Sequence, residues 1–200
     1  MTQSERTDNR ESRHFPEQIK AATRLKHQAL DHAVPLMQDN LSEEDLSAYL
    51  RRVAVFHWSY ETHLETYHPG QLNSWNFNLR MPLLLHDLQL LGSNFHAPEH
   101  PLPFHTLNFN SKPILAGWQY VIDGSALGGT LIYRHLSKRL SQSLIADLTF
   151  FRPYGDNPIK HWRSVQDKLI TVASSEPQAP ETIISAANMA FDWYLKVITE

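Results

Sequence analysis

Cysteine is absent from the 200 residues of this chain, and that gap removes disulfides, thiolate zinc sites, iron–sulfur clusters and cysteine nucleophiles together. Positive charge is not in excess either: 18 Lys and Arg against 21 Asp and Glu give a net charge of −3. With no run of basic residues there is no electrostatic footprint for nucleic acid or a membrane surface. No stretch offers the roughly 18 uninterrupted apolar residues of a membrane-spanning helix. The opening MTQSERTDNRESRH carries no apolar core of the signal-peptide kind. Alternating strand patterns, hairpin signals and internal repeats are missing as well. These gaps lead to an expectation of a cytoplasmic protein built from helices, without a nucleic-acid or membrane partner.

What is present is an apolar content of 42% with 20% charged residues, enough to close the core of one domain. Residues 1 to 15 show no apolar periodicity and read as a disordered arm, because they bury too little to offset their ordering entropy. Residues 16–200 read as a single helical domain. Apolar positions from Ile19 to Met37 recur at three- and four-residue steps, the helical period. Ser42 followed by Glu43, Glu44 and Asp45 is a helix start, and that helix should run to Tyr67. Leu79 to Gly92 reads as a third helix with Pro82 in its first turn and Gly92 as its stop. HAPEHPLP, at 96–103, is a proline-dense connection. Further helical patterns cover 116–136, 141–151, 161–173 and 183–198, so the fold class is an all-α bundle of about six to eight helices, in which cofactor sites are built from inward side chains.

Glycine, scarce at seven residues, is concentrated: Gly117, Gly124, Gly128 and Gly129 all fall within AGWQYVIDGSALGGTLIYRHL, from Ala116 to Leu136. Each costs about 1 kcal/mol relative to alanine inside a helix. Close helix packing is one reason for such a cluster, and close backbone approach to a flat ligand is the other. On the first helix Lys20, Thr23, His27 and Asp31 follow one another at steps of three, four and four. Lys20 and His27 therefore share a face, roughly 10 Å apart along the axis. An imidazole there could ligate a metal at the centre of a flat cofactor while the lysine meets a carboxylate at its rim, or both could be ordinary surface residues. The remaining histidines show no helical H-E-x-x-H spacing. Arg80 and Asp87, seven apart, fit an intrahelical or interhelical salt-bridge framework better than catalysis.

Taken together, IKAATRLKHQALD at 19–31, LRMPLLLHDLQLLG at 79–92, YVIDGSALGGTLIYRHL at 120–136, FFRPYG at 150–155 and AANMAFDWYL at 186–195 resemble the haem oxygenases, particularly their bacterial biliverdin-forming members. The resemblance implies an all-α fold in which haem is sandwiched between a proximal helix of about 17–38 and a kinked, glycine-rich distal helix of about 113–136. It implies that His27 ligates the iron of haem b, with Asp31 either as its partner or in a salt bridge of the N-terminal helix, and that Lys20 meets a propionate. Thr23 and Tyr120 would help enclose the haem, and Arg163 or Lys168 would supply a further propionate contact. Gly124, Ser125, Gly128 and Gly129 match the distal segment over the ring, with Gly128 and Gly129 expected to press on it. Ser125 stands where the animal enzymes carry a distal aspartate, which bacterial members often lack, and Asp123 where bacterial members more often have glutamate. The implied activity is oxidative cleavage of haem by dioxygen to biliverdin, ferrous iron and carbon monoxide. A ferredoxin, flavodoxin or flavin reductase would donate electrons, a bacteriophytochrome could receive the biliverdin, and the protein would act as a monomer. Two other readings stay open: a haem-storage protein on the same site, and a haem-free enzyme of the same fold. For the thiamin-degrading branch of the latter, the missing cysteine nucleophile is an obstacle.

Overall fold

The computed structural model describes residues 14–70, 78–104, 107–155 and 157–200. Among these the chain forms seven α-helices and no strand: α1 (Phe15–Ala33), α2 (Glu43–Tyr67), α3 (Met81–Leu90), α4 (Lys112–Leu136), α5 (Gln142–Asp147), α6 (Pro158–Ala173) and α7 (Ala179–Thr199), with a short 3₁₀ turn at Pro35–Met37. The expected arm falls outside the described residues as far as residue 13. Phe15, at its end, is a core side chain in the first turn of α1.

Local chemistry sets the ends of these helices. α1 stops at Ala33, short of the expected 38, because a residue preceding proline is pushed out of the helical region. Val34, before Pro35, accordingly has ψ of 114°. Ser42 opens α2 with a reciprocal capping box: its hydroxyl accepts from the Asp45 amide at 3.1 Å, and the Asp45 carboxylate accepts from the Ser42 amide at 2.9 Å. Pro82 occupies the first turn of α3, where its missing N–H costs nothing. At the other end Gly92 adopts φ of +63°, so that Ser93 N reaches Leu88 O at 2.9 Å and Gly92 N reaches Gln89 O at 3.0 Å. That paired closure needs a left-handed residue, which glycine supplies without a β-carbon penalty. The last expected helix of the middle region is shorter than 141–151: α5 ends at Asp147, and the backbone at 149–150 is drawn to Asp87 instead.

The core is centred on α4. Trp118, fully buried, stacks on Tyr60 and on Phe56 of α2, with centroids 5.3 and 5.9 Å apart and planes within 8°. Phe104 and Phe109 close its edges. Such offset aromatic pairs add about 0.5–1.5 kcal/mol each beyond their buried area. On its other side α4 lies against α7, whose Ala186, Ala187 and Ala190 are buried, and small side chains on both helices let the two axes come close. α1 packs along α7 and α6, with Lys20 and His27 on its exposed face. No helix among the described residues is long and apolar enough to cross a membrane.

Candidate functional site

On α1 the four singled-out side chains separate into inward and outward sets. Lys20 is exposed, and Thr23 is buried, its hydroxyl donating to Ile19 O at 2.8 Å and lying within hydrogen-bonding reach of the Tyr120 phenol on α4. His27 is outward, with 57% of its side chain exposed. Its Nδ1 lies 2.9 Å from Asp31 Oδ2 one turn on, and its ring meets the edge of Phe191 on α7 at 5.8 Å. A carboxylate on Nδ1 fixes the ring tautomer and leaves the lone pair on Nε2, the atom further from the helix. Phe191 limits how the ring can turn.

The four glycines of the segment serve different contacts. A β-carbon at Gly117 would collide with the Ile183 carbonyl and lie 2.7 Å from Ala186 Cβ, so this residue is the close helix crossing between α4 and α7. At Gly129 a β-carbon would lie 2.9 Å from the Phe151 carbonyl oxygen. The two glycines expected to press on one ring thus have different surroundings. Consecutive helical residues point about 100° apart, and Gly129 is taken by the 150–151 turn. Gly128 is exposed and a β-carbon there would meet nothing within 4 Å, whereas one at Gly124 would touch the Trp162 indole at 3.5 Å. Ser125, half-buried, returns its hydroxyl to Ile122 O at 2.7 Å. Bare backbone on α4 thus faces open space at Gly128.

Beneath this face lies a buried polar cluster. Arg80 and Asp123, each 2% exposed, are 3.2 Å apart. Tyr154 accepts from Arg80 at 2.8 Å and donates to Asp123. Gln119, one turn earlier on α4, also donates to Asp123, and His161 Nε2 stands 3.4 Å away. Burial pushes the Asp123 carboxyl up, but the bonds from His161, Arg80, Tyr154 and Gln119 outweigh it and hold the group below its ordinary value. Tyr154 is pushed up, first by burial. Arg80 therefore pairs with Asp123 rather than standing in a framework with Asp87, which instead accepts the Thr149 and Phe150 amides at 2.9 and 2.8 Å. The detectable signal for this cluster was Gln119 and Asp123 at i and i+4 inside an apolar helix, since buried polar groups need partners.

The chain matches the family model described as "Heme oxygenase" over residues 13–200. It belongs to the haem oxygenase family. Among the relatives it resembles, a haem oxygenase from Xanthomonas campestris pv. campestris (strain 8004) is 32% identical over 117 residues, which are 58% of this chain and 66% of that protein's length. The fold is that of the NO- and CO-bound haem oxygenase from Neisseria meningitidis, with a TM-score of 0.69 at 24% identity, covering 92% of this chain and 89% of the other.

The residues present suit haem. His27, outward with its Nδ1 on Asp31, leaves Nε2 available to an iron that would arrive with most of its coordination sphere filled. Gly128 offers the backbone cradle that a β-carbon would fill. Of the basic residues on α6, Arg163 is exposed and half-buried Lys168 lines a cavity of about 40 Å³ together with Gln119, Asp123 and His161.

Proposed function

We propose that this protein degrades haem: oxidative cleavage of haem b by dioxygen and a reductant to biliverdin, ferrous iron and carbon monoxide. When bound, haem would supply both the iron at which dioxygen is reduced and the porphyrin that is opened. The observation that carries the reading is the outward His27 on α1 with its Nδ1 held by Asp31, in a chain whose α4 exposes bare backbone at Gly128.

Each residue then has a part that follows from its chemistry. His27 holds the iron through Nε2, and Asp31 keeps the ring in the tautomer that can do so. The ligand His27 would offer is a neutral imidazole rather than a thiolate. Lys20, two turns before His27, meets a propionate at the rim, and Arg163 or Lys168 supplies a second contact. Thr23 and Tyr120 close one end of the cleft. Ser125 and Gly128 keep α4 thin where the ring lies, Gly124 stands at the end of that stretch, and Gly129 anchors it to Phe151. Ser125 carries no acidic proton, so proton delivery on this side runs through water. A ferredoxin, flavodoxin or flavin reductase donates the electrons, and a biliverdin-binding protein such as a bacteriophytochrome is a fitting acceptor in a cytoplasmic setting, the enzyme acting as a monomer.

Titration with haemin should produce the Soret band of histidine-ligated haem, and reductant in air should convert it to the green spectrum of biliverdin. His27→Ala should abolish both while leaving the helical circular dichroism unchanged, because the side chain is mostly exposed. Haem that binds through His27 but survives repeated reduction in air would make this a storage protein. Haemin binding that is indifferent to His27→Ala would remove the proximal assignment.

A further inference from the structure

Gly124 and Gly128 stand one turn apart on the same face of α4, yet their surroundings differ. A β-carbon at Gly128 would meet nothing within 4 Å, whereas one at Gly124 would lie 3.5 Å from both Cη2 and Cζ3 of Trp162. The indole comes from the second turn of α6 and is half-buried. It also leans on Tyr120, with centroids 5.5 Å apart and planes at 50°, and Tyr120 in turn reaches Thr23 on α1. Thr23 is one turn from Lys20. The bare strip of α4 is therefore open at Gly128 and closed at Gly124, at the end of the cleft that Lys20 marks.

We propose that Trp162 is a specificity-determining residue: its indole is the end wall that stops the haem plane at Gly124, and so selects which edge of the porphyrin lies under the α4 backbone. This rests on the haem-cleaving reading above. A flat ring between two helices has two kinds of restraint in its own plane, ion pairs at the rim and hard walls at the ends. The Lys20 ammonium sits on a flexible stem that can follow a propionate as the ring turns. The Trp162 indole is seated between Tyr120 and the Gly124 backbone, where displacement would open a void in close-packed surroundings. The wall therefore limits rotation more than the lysine does. Removing the indole frees the face of Gly124 and lets the ring advance toward it.

The test uses the full chain loaded with haemin, comparing the native protein with Trp162→Ala, Trp162→Leu and Trp162→Phe. The first readout needs no turnover: the hyperfine-shifted haem methyl resonances of the ferric complex report how the ring is seated in its plane. Trp162→Ala and Trp162→Leu should change that methyl pattern or add a second set, while Trp162→Phe, which keeps an aromatic wall, should stay near the native pattern. The second readout is chromatography of the biliverdin isomers after turnover, in which the isomer ratio should move in the same two variants. An unchanged methyl pattern together with an unchanged isomer ratio in Trp162→Leu overturns the proposal. If Trp162→Ala fails to fold by circular dichroism, Trp162→Leu, which keeps apolar bulk, decides alone. Failure of the native chain to bind haemin would instead strike the underlying reading, so the two failures are distinct.

Discussion

Glu61 and His57 show how much a single buried residue can do away from the cleft. The two sit one turn apart on α2, 3.7 Å from each other, and neither ring nitrogen of His57 finds a hydrogen-bond partner among the described residues. Burial raises Glu61 to about 7, against the Arg80 and Met81 amides that it accepts at the start of α3. Burial, then the Arg80 charge, lowers His57 to about 3. The signs follow from linkage. Glu61 binds its proton more tightly when folded, so its stabilising contribution is present below 4.5 and is lost as pH rises through 7. His57 binds its proton less tightly when folded, so its contribution is present above 6.5 and is lost as pH falls through 3. Between 4.5 and 6.5 the two slopes oppose each other. Glu61→Gln, which retains an acceptor for the Arg80 amide, should leave a stability that climbs with pH across that interval. His57→Phe should leave one that declines. Urea unfolding at the two ends of the interval measures both, and parallel slopes in all three proteins would contradict the assignment. Neither behaviour was legible in the sequence, where a histidine and a glutamate at i and i+4 read as an ordinary helical pair.

At the scale of elements, helical periodicity located α1, α2, α3 and α4, and cap chemistry located their ends wherever a specific residue forces the backbone. Ser42 and Gly92 are such residues. Pro35 is another, but its effect on Val34 was outweighed in the pattern by Leu36 and Met37, whose apolar spacing continued past the true end of α1. The candidate site was legible to a lesser depth. The spacing of Lys20, Thr23 and His27 put them on one helix face, but the inward turn of Thr23 depends on Tyr120, about 100 residues further along. The glycines divide in the same way: one segment carries them, but the identity of the neighbour at each depends on α6, α7 and the Phe151 turn. That division predicts opposite outcomes for two alanine substitutions. Gly117→Ala places a methyl against the α7 backbone and should destabilise the protein by about 1–3 kcal/mol, the cost of overpacking. Gly128→Ala meets no neighbour and should gain up to about 1 kcal/mol in helix propensity, while slowing haem turnover because the methyl stands where the ring is to lie. Chemical denaturation and biliverdin formation, measured on both variants, separate a packing glycine from a ligand-facing one. Equal losses of stability would erase the distinction.

For the molecule as a whole, the rigid part of the bundle is the frame built around α4. Trp118 and its ring neighbours hold α2 and α4 together, the alanine seam joins α4 to α7, and the Arg80–Asp123 pair ties the start of α3 to α4. A buried ion pair of this kind costs about 3–5 kcal/mol when one member is removed, so this frame is stiff without any ligand. α1 is secured differently. It carries Phe15, Ile19 and Leu30 into the core, while Lys20 and His27 on its outer face and Gly128 on α4 are exposed. A haem ligated by His27 and lying on Gly128 would join the two helices, and the added stability should appear by mass action. With free haemin at about 100 times its dissociation constant the gain is about 2.7 kcal/mol. For a domain of this length that corresponds to a rise in melting temperature of roughly 5–10 °C. His27→Ala should lose most of the rise and leave the haem-free melting temperature within a degree or two of the native chain, because an exposed side chain contributes little to folding. Calorimetry of both proteins with and without haemin provides the measurement. A rise that persists in His27→Ala would mean that haemin binds somewhere other than between α1 and α4.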